Sequence, residues 1–203
     1  MMPSVYLKLV LISLSGVLAG PSFAAAAVTP CQIFGWSASD DPSGLDIRDA
    51  PDPSANVIGQ VPPPYINPAS EISPAEGWRA EFTIVGYSNR WFLIDEIQRP
   101  GEPYDEAGPG SQGAFEGRGW VPADQVMGAY SNTQMPTAWL LIAPDVNAGI
   151  AGSISRPKDQ SLSIDGTLRA LLACSGNWGL TESTDGTRGW WRGICSNQAT
   201  NCS

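Results

Sequence analysis

The sequence predicts an all-β protein made of two small domains of one kind. Residues 50–61 read APDPSANVIGQV and residues 143–154 read APDVNAGIAGSI, so five positions are identical without a gap. An internal repeat has to be recognised before any fold is assigned. The 18 prolines and 22 glycines are spread along the chain, and eight tryptophans lie amid short apolar runs. This composition is typical of many short strands joined by turns.

The repeat continues downstream in the same order. Residues 87–91 (YSNRW) align with 174–178 (CSGNW), and residues 118–121 (RGWV) align with 188–191 (RGWW). Residues 123–127 predict a short helical turn. Runs rich in branched and aromatic residues predict strands at 45–47, 57–61, 79–87, 90–97, 119–122, 138–143, 168–174, 178–181 and 190–194.

The first 24 residues predict a secretory signal peptide. Lys8 precedes an apolar run at 9–19, and a small-residue cleavage site follows at Ala24. We expect the mature protein to be periplasmic or secreted, and to have no membrane anchor after cleavage.

The rest of the chain divides into two predicted domains, at 31–130 and 137–203, joined by a linker at 131–136. The first domain carries a long insertion at 98–116 that is rich in glycine, proline and acidic residues. Loops of this length are often functional or mobile.

Four cysteines predict two disulfides in an oxidising compartment. Cys174 and Cys195 flank the second hairpin almost symmetrically, so our preferred pairing is Cys174–Cys195, which leaves Cys31–Cys202. The close pair Cys195–Cys202 is the alternative. A zinc site is not expected, because the chain has no histidine and no Cys-x-x-Cys pair.

The charge of the chain disfavours anionic partners. The formal net charge is −9, and it becomes −10 when Lys8 is removed with the signal peptide. Such a field repels phosphate backbones, so nucleic acid is not an expected partner.

Three segments of the first copy resemble bacterial SH3-like domains. Residues 44–51 (GLDIRDAP) and 56–61 (NVIGQV) match the opening strands of that family, and residues 119–121 (GWV) match its Gly-Trp-Val ending. Asp46 and Ala50 stand where the family usually has Asn and Gly. The resemblance implies two partly open β-barrels in tandem, each closed by an indole beside a glycine, and it is clearer in the first copy.

The same resemblance implies a binding function without catalysis. Members of the family often recognise cell-wall peptides or polysaccharide, so peptidoglycan or another envelope component is the expected partner, with no cofactor and no metal. Aromatic residues in the less regular segments are the candidates for an exposed binding groove. They are Trp36, Tyr65, Trp78, Tyr87 and Tyr104.

The sequence offers little for catalysis. Without histidine, the commonest general base and every Ser-His or Cys-His nucleophile pair are excluded. Ser155 and Lys158 match a Ser-x-x-Lys spacing, but Pro157 between them favours a loop over the helix that this chemistry uses. The alternative to a wall-binding protein is a protein-directed inhibitor or immunity factor, in which the insertion at 98–116 contacts a basic partner.

Overall fold

The computed structural model describes residues 27–66, 77–98, 115–130, 137–155 and 168–196. The predicted signal peptide, most of the acidic insertion and the predicted linker lie outside these ranges, as do Tyr104 and Cys202.

The described chain is all-β, which confirms the predicted class. Its helical content is one short 3₁₀ helix, Ala123–Gln125, at the predicted helical turn. Fourteen strands are formed: β1 (Thr29–Ser37), β2 (Leu45–Arg48), β3 (Val57–Val61), β4 (Glu81–Ser88), β5 (Trp91–Asp95), β6 (Gly119–Pro122), β7 (Val126–Met127), β8 (Ala129–Tyr130), β9 (Thr137–Leu141), β10 (Ile150–Ser155), β11 (Leu168–Ser175), β12 (Trp178–Ser183), β13 (Arg188–Arg192) and β14 (Ile194–Cys195).

Two sheets repeat one strand order. The first, a half-barrel, has seven strands in the order β3-β2-β6-β5-β4-β1-β7, and the second has five in the order β10-β9-β13-β12-β11. The first five positions of the larger sheet therefore correspond to the whole of the smaller one. We call β1–β7 the first unit and β8–β14 the second unit.

The correspondence between the units holds at the level of single residue pairs. The strand pairs of the described residues are antiparallel, and the isolated bridge between Cys31 and Gly176 is parallel. Bulges fall at matching positions of β2–β3 and β9–β10 and of β4–β5 and β11–β12. Matching cross-strand pairs include Ile47–Gly59 with Leu140–Gly152, Ser88–Trp91 with Ser175–Trp178, and Leu93–Trp120 with Leu180–Trp190.

The repeated segment at 50–61 and 143–154 forms the same turn twice. In the first unit the Asp52 amide donates to the Ala50 carbonyl at 2.8 Å, and in the second the Asp145 amide donates to the Ala143 carbonyl at 2.8 Å. In each case the aspartate side chain then accepts a bond from the amide two residues later. The shared Ala-Pro-Asp sequence thus specifies an Asx-type turn between two paired strands.

A short strand pair closes each unit. In the first unit β1 pairs with β7, with Ser37 opposite Val126. In the second unit β8 pairs with β14, with Tyr130 opposite Ile194. The first strand of the first unit, β1, has nine residues, whereas the first strand of the second unit, β8, has two. A single residue separates β8 from β7 of the first unit.

The two units share one hydrophobic core. The buried cluster runs without a break from Ile33 and Phe92 in the first unit to Leu140 and Leu171 in the second. β1 also reaches the second unit directly, because the Gln32 amide donates to the Gly176 carbonyl at 2.6 Å.

The preferred disulfide pairing, Cys174–Cys195 with Cys31–Cys202, is wrong. Cys31 is bonded to Cys174, and their Cα atoms lie 5.7 Å apart. Cys195 lies on β14, which pairs with β8, and Cys174 lies on β11, which pairs with β12. Cys195 is disulfide-bonded as well.

All nine predicted strands are present, but β1 was not among them. Its inward positions hold Cys31, Ile33, Gly35 and Ser37, whereas Phe34 and Trp36 face outward. The second half of this strand, with Gly35 and Ser37 inside and Phe34 and Trp36 outside, does not give the apolar alternation by which strands are recognised. The finer prediction, two SH3-like barrels in tandem, stays a prediction.

Candidate functional site

The predicted aromatic residues do not come together in one groove. Tyr65 and Trp78 exchange backbone hydrogen bonds of 2.8 and 2.7 Å in an isolated bridge, and the Trp78 side chain is buried. Tyr87 packs against the core, with its ring 5.5 Å from that of Phe92. Tyr104 lies outside the described residues. Trp36 is half-buried and lies on the outward face of β1.

Trp36 is one of two aromatic side chains on the outer face of β1. Side chains two residues apart on a strand point to the same side, so Phe34 accompanies Trp36, and Phe34 is 46% exposed. Across the β1–β4 ladder, Trp36 is opposite Glu81 and Phe34 is opposite Thr83. Directly paired side chains in an antiparallel sheet are in contact range.

Carboxylates surround this aromatic pair. Beyond Thr83, the next residue across the sheet is Asp95 on β5. The Thr83 hydroxyl donates to Glu96 Oε2 at 2.8 Å, and Ser196 Oγ donates to Glu81 Oε2 at 2.7 Å. We call Phe34, Trp36, Glu81, Asp95 and Glu96 the aromatic–acidic face.

One cation partly offsets the charge of this face. Arg118 Nε donates to Asp95 Oδ2 at 2.7 Å, and this hydrogen bond holds the pKa of the Asp95 carboxyl below its ordinary value. Asp95 therefore stays ionised over the physiological range, and its charge is largely balanced by Arg118.

Glu96 is held in an unusual backbone conformation. Its φ angle is 51°, in the left-handed region that non-glycine residues rarely adopt. The Asp95 side chain accepts the Glu96 amide at 2.9 Å, and Thr83 fixes the Glu96 carboxylate. Strained residues of this kind cluster at functional sites.

The face carries the groups that can bind a cation. A cationic amine can lie over an indole plane while carboxylates accept its hydrogen bonds.

Within the described ranges, no three His, Cys, Asp or Glu side chains are grouped as metal ligands would be. In the same part of the chain, no helix has the length and apolar character needed to cross a bilayer.

A second exposed surface was not foreseen from the sequence. The hairpin formed by β9, its turn and β10, residues 137–155, presents large apolar side chains to solvent; we call it the apolar hairpin. Trp139, Ile142, Val146 and Ile150 are between 51 and 66% exposed. The signal was present in the repeat, because Asp46 and Asp49 of the first copy stand where the second copy has Trp139 and Ile142.

Comparison with known proteins identifies no relative. No family model, no curated protein and no solved structure matches the chain. The resemblance to bacterial SH3-like domains thus stays an expectation, and the function has to be argued from the geometry of the chain itself.

Proposed function

We propose that this chain is an exported, non-catalytic binding protein that holds an amine-bearing peptide of the cell envelope on its aromatic–acidic face. The observation that carries the proposal is the outward pair Phe34 and Trp36, set beside Glu81 on a rigid sheet. Aromatic side chains of this kind would usually be buried, and here the inward positions beside them hold Gly35 and Ser37.

The net charge of the chain and the indole of Trp36 both favour binding of a cationic peptide. The net charge of −9 draws basic ligands toward the protein. An ammonium group over an indole contributes about 0.5–2 kcal/mol, depending on how far it is desolvated. The stem peptides of peptidoglycan carry free amines and are therefore the proposed ligand class.

The proposed compartment is the periplasm or the extracellular space. The Cys31–Cys174 disulfide supports this location, because disulfides persist in oxidising compartments. The predicted signal peptide is the second support. The alternative, an inhibitor that uses the insertion at 98–116, depends on residues outside the described ranges and stays a prediction.

Co-sedimentation with purified peptidoglycan sacculi tests the function. We expect the protein to pellet with native sacculi and to remain in solution when the sacculus amines have been N-acetylated. Trp36→Leu keeps an apolar side chain on β1 but removes the aromatic plane, so it should weaken binding by roughly two- to thirtyfold.

Trp139→Leu is the matched control, because Trp139 is an exposed tryptophan on the opposite unit. It should sediment like the wild type. Binding that survives both acetylation and Trp36→Leu would rule out the proposed site, and absence of sedimentation would rule out peptidoglycan as the ligand.

A further inference from the structure

The apolar hairpin differs from its counterpart in the first unit at the solvent-facing positions alone. The turns, the register and the bulge are the same in β2–β3 and β9–β10. At the outward positions, Asp46, Arg48, Asp49 and Pro53 of the first unit correspond to Trp139, Leu141, Ile142 and Val146 of the second. The buried positions, in contrast, are apolar in both units.

This internal comparison shows that the hairpin fold does not require the apolar surface. The first unit builds the same backbone with Asp46, Arg48 and Asp49 at three of these places, and it shares with the second unit only the exposed apolar residue at Val57 and Ile150. Contiguous exposed apolar side chains on a soluble protein commonly mark an interaction site. The substitutions in the second unit are therefore explained by binding better than by folding.

The backbone beside this surface is also unpaired. β10 is the first strand of the five-stranded order, and within the described residues no strand lies along its outer edge. Charged residues and proline are two of the features that protect an edge strand from pairing. The sequence of β10, IAGSIS, contains neither. A partner strand added here would gain backbone hydrogen bonds and would lie next to the apolar side chains.

The negative charge of the chain indicates which kind of partner binds at the β10 edge. A second copy would bring together two chains of net charge −9 each, which disfavours self-association. The hairpin itself contains Asp145 but no Lys or Arg between residues 137 and 155. Asp185 lies in the neighbouring turn, whose Thr187 touches Gly152 of β10. The edge is thus apolar with carboxylates nearby.

We propose that the β10 edge binds an extended apolar segment of a second, basic protein, which adds a strand to the five-stranded sheet and covers Trp139, Ile142 and Ile150. This surface is separate from the aromatic–acidic face, so the two proposals can succeed or fail independently.

Selection from a phage-displayed random peptide library tests the proposal, with peptides of about twelve residues, long enough to form a strand. The target is the full mature chain with its disulfides intact. Counter-selection uses a transplant variant, Trp139→Asp/Leu141→Arg/Ile142→Asp, that carries the residues of the first unit. We expect the enriched peptides to alternate apolar residues and to carry Lys or Arg.

Synthetic copies of the enriched peptides provide the quantitative readout by fluorescence anisotropy. Their affinity should fall at least about tenfold on the transplant variant. Ile150→Thr, which keeps a branched side chain on β10, should also weaken binding and replaces the transplant variant if that variant does not fold. Val57→Thr, at the corresponding position of the first unit, should leave the affinity unchanged.

Three outcomes would overturn the proposal. The first is that no peptide is enriched relative to the transplant variant, and the second is that the enriched peptides are acidic. The third is a wild-type dimer in analytical ultracentrifugation that the transplant variant abolishes, since the occupant would then be a second copy of this chain.

Discussion

At the scale of single residues, Tyr130 holds β8 against β12 and β13 of the second unit. It is fully buried. Its hydroxyl donates to Thr181 Oγ1 at 2.9 Å, and the Thr181 hydroxyl donates to the Gly189 carbonyl at 3.2 Å. Its ring meets Trp191 edge-on at 5.6 Å. A polar group this deep is tolerated because it is hydrogen-bonded.

Because Tyr130 is buried, its contribution to the unfolding free energy depends on pH. Burial raises the pKa of the Tyr130 phenol from 10.0 to about 12. The native state therefore holds this proton more tightly than the unfolded chain does, so the stabilisation is complete below pH 10 and is lost as the pH rises from about 10 to about 12. A difference of two pKa units corresponds to about 3 kcal/mol.

Tyr130→Phe isolates this contribution. At neutral pH the variant should be less stable by about 1 kcal/mol, because one buried hydrogen bond is lost. Above pH 10 the unfolding free energy of the wild type should fall more steeply than that of the variant. Urea denaturation of both proteins at a series of pH values gives the two curves, and parallel curves would contradict the prediction.

At the scale of elements, two glycines allow a strand to approach a hairpin closely. Gly119 on β6 and Gly189 on β13 each precede a tryptophan. The structure shows why no larger residue fits at these two positions. A Cβ on Gly189 would lie 2.6 Å from Leu140 Cβ and 3.0 Å from the Leu141 carbonyl, and a Cβ on Gly119 would lie 3.1 Å from the Arg48 carbonyl.

Alanine at either glycine should therefore force the strands apart. We expect Gly119→Ala and Gly189→Ala each to lower the unfolding free energy by about 1–3 kcal/mol, the usual range for overpacking. Gly149→Ala is the control, because its new Cβ would be no closer than 3.4 Å to another side chain. Chemical denaturation should show that only the control keeps wild-type stability.

How far the elements could be predicted depends on where their apolar residues point. β4 and β5 are rich in branched and aromatic residues, so their positions were predictable. The second half of β1 has Phe34 and Trp36 outside and Gly35 and Ser37 inside, and β8 and β14 have only two residues each. Pairings between such short strands depend on the tertiary arrangement, and the disulfide could not be derived without them.

The candidate sites were predictable only in part, for the same reason. Trp36 was selected as an aromatic residue in an irregular segment, but its exposure follows from β1, which was not predicted. The apolar hairpin could have been found by comparing the two copies position by position, since Asp46 and Trp139 occupy the same outward position. Glu81 and Glu96 become neighbours of Trp36 only through the β1–β4–β5 ladder.

At the scale of the whole molecule, the two units are tied together by the chain start and by the core. β1 belongs to the first sheet, yet its Cys31 is bonded to Cys174 on β11 of the second. The buried residues of both units form one cluster. We therefore expect the units to unfold together in a single transition rather than one after the other.

Removal of the Cys31–Cys174 bond should weaken both units at once. The two cysteines are 143 residues apart in sequence, and a cross-link that closes a long loop restricts the unfolded chain strongly, so Cys31→Ser/Cys174→Ser should lose about 2–5 kcal/mol. Thermal unfolding followed by circular dichroism and by tryptophan fluorescence should give coincident curves that shift together to lower temperature. If one probe shifts and the other does not, the bond stabilises a single unit and the shared core does not make the fold cooperative.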